Sequence, residues 1–327
     1  MFKNLSTRAS GRCANLKFTI VTPVYNEEAS IFEFIRRISM VIEQLENEGV
    51  HSELLLVDDG STDSTKEMLL EAVSLSDKIQ FISLAANVGH QPAVWCGLES
   101  APINNTVIVM DCDLQDPPEL IPQIVKLALE NDIVFTQRRS RRDSFAKKAT
   151  ASLYYRILKK LSDGKVIDNS GDFYALSPKA RGALLAHRES VKYIRGLISS
   201  LGFKSTTLQF DRDARFAGKT HYSFSKMLKL AIAGVTGFSI SPLIYVSYIA
   251  VFSAIFACIG SVVVILMKIL YPSTFSPGIA AIIVVSLILG SLILTCLAIL
   301  SLYIARITLE VKNRPLYIVE SKGGKKT

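Results

Sequence analysis

Asp111-Cys112-Asp113-Leu114-Gln115-Asp116-Pro117-Pro118, entered directly from the apolar run Thr106–Met110, is the stretch on which the fold turns. A short, near-continuous apolar run bounded by turn residues reads as a strand buried on both faces, the kind found inside parallel sheets. Here it ends in two carboxylates one residue apart. Such a pair suits a hard divalent cation, Mg²⁺ or Mn²⁺, which takes one or two carboxylates and completes its shell with water and substrate phosphates.

On either side of this stretch, similar runs occur at Phe18–Val21, Glu53–Val57, Ile79–Leu84 and Ile133–Thr136. Helical patterns lie between them at Glu28–Glu48, Ser64–Ser74, Pro92–Ser100 and Pro118–Glu130. Strands alternating with helices predict an α/β domain with a mostly parallel sheet, whose ligands bind beyond the carboxyl ends of the strands. The polar motifs fall at those ends. Strand one runs into Thr22-Pro23-Val24-Tyr25-Asn26-Glu27, strand two into Asp58-Asp59-Gly60-Ser61, and strand four into Asp111 and Asp113. Each has a plainer alternative: Asp58–Asp63 also reads as a turn and helix cap, and the Asp111/Asp113 pair as a solvated strand end.

The 327 residues hold room for a catalytic domain and a smaller module. Mean hydropathy is high, at +0.32, because two stretches, Leu230–Met267 and Tyr271–Ala305, carry no charge. Each exceeds the roughly 20 residues that cross a bilayer. With Pro242 as a break, spans are expected near Leu243–Met267 and Ile279–Ile304. A buried core hairpin is the alternative. Arg306, Lys312, Arg314, Lys322, Lys325 and Lys326 follow the second span and favour the cytoplasmic side. Catalytic domain and both termini are then expected on the cytoplasmic face of the inner cell membrane, in a multi-pass arrangement. Lys268 opposes this placement but can snorkel to the interface.

The expected organisation is a flexible basic tail (1–16), a catalytic domain (17–222), an interfacial helix region (223–242), two transmembrane helices (243–305) and a cytoplasmic tail (306–327). The five cysteines show no paired spacing, so neither disulfides nor structural zinc is expected. The net charge of +8 is concentrated between Arg138 and Lys160. No nucleic-acid recognition motif accompanies that cluster. Beside membrane spans, anionic headgroups or a lipid phosphate are the better match.

Pro23-Val24-Tyr25-Asn26-Glu27, Val57-Asp58-Asp59-Gly60-Ser61, Asn87-Val88-Gly89 and Asp111-Cys112-Asp113-Leu114-Gln115 resemble, in that order, the motifs of family 2 glycosyltransferases of the GT-A fold. Gly171-Asp172-Phe173, Arg215-Phe216-Ala217-Gly218-Lys219-Thr220 and Val311-Lys312-Asn313-Arg314-Pro315-Leu316-Tyr317 extend the resemblance to the polyprenyl-phosphate glycosyltransferases. That group contains dolichyl-phosphate mannose synthases and, more similar in the two terminal spans, bactoprenol glucosyltransferases.

The resemblance implies an inverting hexosyltransferase that moves a sugar, by default glucose from UDP-glucose, onto undecaprenyl or another polyprenyl phosphate. It implies catalytic roles for Asp113, Asp172 and Gln115, and metal ligation by Asp111 and Asp113. Pro23, Tyr25, Glu27, Asp59, Asp111, Arg215 and Lys219 would bind the nucleotide sugar, with Asp59 reading the base. Arg138, Lys148 and Ser152 would hold the acceptor phosphate. Asp172 falls where the family has a base or an acceptor-orienting carboxylate, and the charged acceptor favours orientation. A homo-oligomer is expected by analogy alone. Ala86 and His221 stand where the family commonly has arginine and lysine, which bears on the donor. Two further readings stay open: a processive polysaccharide synthase, disfavoured because Trp95 lies outside any Gln-x-x-Arg-Trp motif, and a non-catalytic nucleotide-sugar-binding membrane scaffold.

Overall fold

A computed structural model describes residues 17–138, 170–187, 193–210, 278–312 and 314–324, with isolated positions between 248 and 270. The chain divides into two compact units. One comprises Met1–Tyr155, Lys165–His221 and Pro315–Thr327; the other comprises Arg156–Gly164 and Tyr222–Arg314.

The first unit opens with β1 (Lys17–Val24), α1 (Ile31–Asn47), β2 (His51–Asp58), α2 (Thr65–Leu75), β3 (Ile79–Leu84), α3 (His90–Ser100) and β4 (Thr106–Val109). A single turn at Pro118–Leu120 leads into α4 (Ile121–Ala128), followed by β5 (Ile133–Arg138). Then come β6 (Ser170–Leu176), α5 (Pro178–Leu185), α6 (Ile194–Ser200) and β7 (Ser205–Phe210). The strands and helices read from the sequence between residues 18 and 136 are all present, with ends shifted by a few residues.

Alternation explains the layers. In α1 the buried residues are Ile31, Phe34, Ile38, Val41, Ile42 and Leu45, one stripe at helical spacing that packs on the sheet. The facing strands supply Phe18, Ile20, Leu54, Leu56 and Ile108, all essentially inaccessible to solvent. Each such side chain contributes about 1.5–3 kcal/mol on burial.

The strand order is β7-β5-β6-β4-β1-β2-β3-β8, where β8 is Val319–Gly323 near the C-terminus. β1 pairs in parallel with β2 and β4, β2 with β3, and β5 with β7. β6 and β8 run antiparallel to their neighbours. The sheet is therefore mostly parallel, as expected. From β1 the chain moves outward through β2 and β3, then returns to place β4 on the other side of β1. That reversal opens a crevice beyond the carboxyl ends of β1 and β4, where ligands bind in sheets of this kind.

The segment expected as a cytoplasmic tail is more than that, because β8 within it hydrogen-bonds to β3. In the second unit, α7 (Gly278–Lys312) is 35 residues long and covers the second expected span. Among the residues with described side chains, no helix is long and apolar enough to cross a membrane. The basic tail, the interfacial region and most of the first expected span lie outside the described residues.

Candidate active site

Three loops meet over the crevice. After β1, Asn26 takes a left-handed backbone conformation (φ 52°). Its amide donates to Ser61 Oγ at 3.0 Å, and its Oδ1 accepts from the Thr62 amide at 2.8 Å. The Glu27 amide donates to Thr65 Oγ1 at 2.9 Å. These bonds zip the β1–α1 and β2–α2 loops together. They leave Tyr25 exposed at the lip (44 %) and Glu27 half-buried, while Pro23 is buried within β1.

The Asp58-Asp59-Gly60 turn has structural work of its own. Asp58 is buried and accepts from the Ser61 amide and from Ser83 Oγ. Asp59 accepts from the Val88 amide at 2.8 Å, the Gly89 amide at 2.9 Å and Asn87 Nδ2 at 3.1 Å. Burial raises its pKa, and the two backbone donors pull it back. Gly60 adopts φ +66°, and a Cβ there would sit 2.6 Å from the Ala86 carbonyl carbon. The second and third sequence motifs are thus one device, in which Asp59 pins the loop that begins α3.

That loop aims α3 at the crevice. A Cβ on Gly97 would lie 2.2 Å from Val21 Cγ1, so glycine lets α3 press against β1. His90, the first residue of α3, consequently reaches the end of β4. Its Nε2 lies 3.7 Å from Asp111 Oδ1 and 3.6 Å from Asp172 Oδ2.

Asp172 arrives from β6. The antiparallel β4–β6 ladder pairs Val107 with Leu176, Ile108 with Ala175 and Val109 with Tyr174. Extending that register by two residues sets Asp111 opposite Asp172. Like charges directly across a sheet are destabilising, and a guanidinium offsets them here. His90 lies between the carboxylates, and Arg195, from the first turn of α6, grips Asp172. Arg195 Nε donates to Asp172 Oδ1 at 2.5 Å and Nη2 donates to Oδ2.

Asp111 Oδ1 is shut off from solvent and accepts no hydrogen bond among the described residues. Burial pushes the Asp111 pKa up to about 6; His90 lowers it, while Asp172 and Asp113 raise it further.

Beyond Asp111, Cys112 and Leu114 turn inward and are buried. The Cys112 thiol donates to the Pro23 carbonyl at 3.5 Å, joining the ends of β4 and β1. Leu114 has φ 57°, uncommon for a branched side chain and the kind of strain that gathers at functional sites. Asp113 Oδ1 accepts from the Gln115 amide at 3.1 Å, so the loop closes on itself.

His90, Asp111 and Asp172 each offer a ligand atom within 4.8 Å of the others. One imidazole nitrogen and carboxylate oxygens suit Mn²⁺ or Mg²⁺. Asp113, expected beside Asp111 as a ligand, stands outside that trio. His90 and Arg195 belong to the site and were not singled out in the sequence. The signal for His90 is its place directly after Asn87-Val88-Gly89, and that for Arg195 is only an arginine at the start of a short helix. Arg138 ends β5 without a described side chain. Lys148, Ser152, Arg215 and Lys219 lie outside the described residues.

The family model described as Glycosyl transferase family 2 matches residues 19–185, which contain every described residue of this site except Arg195. The uncharacterized glycosyltransferase YkcC of Bacillus subtilis is 36 % identical, with 95 % of both chains covered. The SfII prophage-derived bactoprenol glucosyl transferase of Shigella flexneri is 32 % identical over 93 % of this chain and 98 % of its own. Among solved structures, glucosyl-3-phosphoglycerate synthase from Mycobacterium tuberculosis, in complex with Mn²⁺, UDP-glucose and phosphoglyceric acid, has a TM-score of 0.50 at 21 % identity. It covers 68 % of this chain and 80 % of that one, a likeness that concerns the α/β fold. With a family model across half its length and relatives above 30 % identity along nearly all of it, the chain belongs to glycosyl transferase family 2.

Proposed function

We propose that this protein is a membrane-bound inverting hexosyltransferase that moves glucose from UDP-glucose onto a polyprenyl phosphate. The observation that carries the reading is similarity along 93 % or more of the chain, too much to leave out the apolar C-terminal region, to proteins named bactoprenol glucosyl transferase. The site's chemistry supports it.

The donor's diphosphate fits the crevice beyond β1 and β4, with Tyr25 and Glu27 at its edge. Asp111 and His90, two of the trio whose ligand atoms lie within 4.8 Å of one another, are the residues that would hold Mg²⁺ or Mn²⁺. Asp111 suits that role because its Oδ1 is desolvated and without a hydrogen-bond partner among the described residues. A bound divalent cation neutralises the charge that develops on a departing diphosphate.

The acceptor phosphate is already an anion near neutral pH, its second pKa being near 6. Attack therefore needs little base catalysis. It needs two anions brought together and aligned with the anomeric carbon. We assign acceptor phosphate binding to Arg138, Lys148 and Ser152, and donor phosphate contacts to Arg215 and Lys219. Attack from the face opposite the leaving group inverts the anomeric centre.

Two observations support membrane attachment. Gly278 to Ala305 of α7 carries no charge. Ile282, Val285, Leu289, Ile293, Leu297, Leu300 and Ile304 form an exposed row on it, a surface that calls for an apolar environment. Because β8 pairs with β3, a chain that leaves the catalytic unit and crosses a membrane must cross back. That favours two spans, with the basic end of α7 on the cytoplasmic face.

Purified protein in detergent, given undecaprenyl phosphate and a panel of radiolabelled nucleotide sugars, tests the reading. Metal-dependent transfer of label into the organic phase from UDP-glucose is expected. Nucleotide binding without lipid-linked product from any donor would leave the scaffold reading in its place.

A further inference from the structure

The end of β4 confronts the end of β6 with two carboxylates in cross-strand register, and only one of them is gripped. Asp172 is held through both oxygens by Arg195, Nε to Oδ1 and Nη2 to Oδ2. Two parallel bonds from a planar guanidinium fix position and plane together, which a point charge cannot do. The clamp is itself anchored. The Ile194 amide donates to Gln91 Oε1 at 3.2 Å, tying the first residue of α6 to the residue next to His90. Ile194, Leu197 and Ile198 bury the other side of the helix. Arg195 is thereby registered against α3, the helix that delivers His90 to Asp111 and Asp172.

From this geometry, and resting on the glycosyl-transfer reading above, we propose that Arg195 is a positioning residue for transfer. It fixes the Asp172 carboxylate beside His90 and Asp111 as an orienting group, not a proton acceptor. A general base has to turn a lone pair toward its proton and then carry that proton. Asp172 has an Arg195 N–H on each oxygen, and protonating it would break the pair. A carboxylate held in one plane is instead suited to fixing a substrate hydroxyl or a metal-bound water. The requirement is for the fork of Arg195, not its charge.

The test compares the wild type with Arg195→Ala, Arg195→Lys, Asp172→Asn and the Arg195→Ala/Asp172→Asn pair. Transfer kinetics to undecaprenyl phosphate and thermal unfolding are both measured. Arg195→Ala and Arg195→Lys should each lose about 100-fold in kcat, the scale of a small misplacement at a reacting centre. The KM for UDP-glucose should stay within about threefold. The paired variant should be no slower than Asp172→Asn alone, and added guanidinium ion should restore part of the alanine variant's rate. Full activity of Arg195→Lys, strictly multiplicative losses, or a raised KM with unchanged kcat would overturn the clamp. Should the alanine variant fail to fold, the lysine variant decides. If the wild type transfers nothing, the functional reading fails, and unfolding still judges the clamp: non-additive Tm shifts uphold it and additive shifts remove it.

Discussion

Asp111 occupies a position that works against stability. Its pKa is pushed up to about 6 from an ordinary 3.8, first by burial and then by Asp172 and Asp113. In the metal-free protein the folded state therefore binds this proton more tightly than the unfolded chain does. The associated stability is fully present below pH 3.8 and is lost as pH rises through 6, at about 1.4 kcal/mol for each pH unit between the unfolded and folded pKa values. In EDTA, Asp111→Asn should raise the Tm at about pH 7 and flatten its dependence between about pH 4 and 6, while abolishing transfer. Calorimetry across that range checks the first two outcomes and an activity assay the third. A variant less stable than wild type near neutral pH would contradict the assignment. Asp111 and Asp113 were legible in the sequence because they end a strand-like run and fall in a familiar motif, and Asp172 through its motif alone. His90 and Arg195 were not. What makes them functional is the β4–β6 register and the approach of α3 to β1, and neither is written in local spacing.

Two elements hold the site in place from a distance. The turn at Gly60 touches the backbone of Ala86, so Gly60→Ala forces together atoms that would lie 2.6 Å apart, at φ +66°. It should cost about 2 kcal/mol or more, lower the Tm and weaken nucleotide binding by displacing the Asn87–Gly89 loop. Wild-type affinity in a titration with UDP would contradict this. At the opposite edge, β8 closes the sheet. Tyr317 donates to Glu99, whose other oxygen accepts from Trp95 Nε1 at 2.7 Å, and the Ala85 amide donates to the Ile318 carbonyl at 2.9 Å. Lys66 and Glu320 pair at 2.6 Å, though an exposed pair contributes little. Tyr317→Phe should destabilise by about 1–2 kcal/mol, the range for a hydrogen bond to a charged group in a partly exposed setting. It should also speed amide exchange in residues 319–323; unchanged exchange there would mean that Tyr317 does not dock the strand. The first five strands could be read from apolar runs. β8, Val-Glu-Ser-Lys-Gly, could not: a five-residue edge strand with alternate exposure has too little hydrophobic pattern to stand out from a tail.

For the molecule as a whole, β8 constrains how the chain can run. Residues on both sides of the apolar region, β7 before it and β8 after it, belong to one catalytic unit. The proposed hairpin obeys that constraint with two crossings, the short connector near Ser276 facing the far side. A cysteine placed at Ser276 in a background without native cysteines should react with an impermeant maleimide in intact cells, and one at Thr327 only after permeabilisation. Labelling of both positions, or of neither, in intact cells would refute the topology. The proposed hairpin is legible in the sequence as an absence of charge, a long-range compositional signal, whereas the return of the chain to the sheet became visible only through strand pairing.

The glucosyltransferase reading stands or falls on transfer of radiolabelled glucose from UDP-glucose to undecaprenyl phosphate, with wild type and Asp111→Asn compared in Mg²⁺, in Mn²⁺ and in EDTA. We expect an acid-labile glucolipid from wild type in either metal, and none in EDTA or from the variant. Glucolipid formed equally well by Asp111→Asn would contradict the metal role of Asp111, and no lipid-linked sugar from a wild-type protein that still binds UDP would contradict the glucosyltransferase reading.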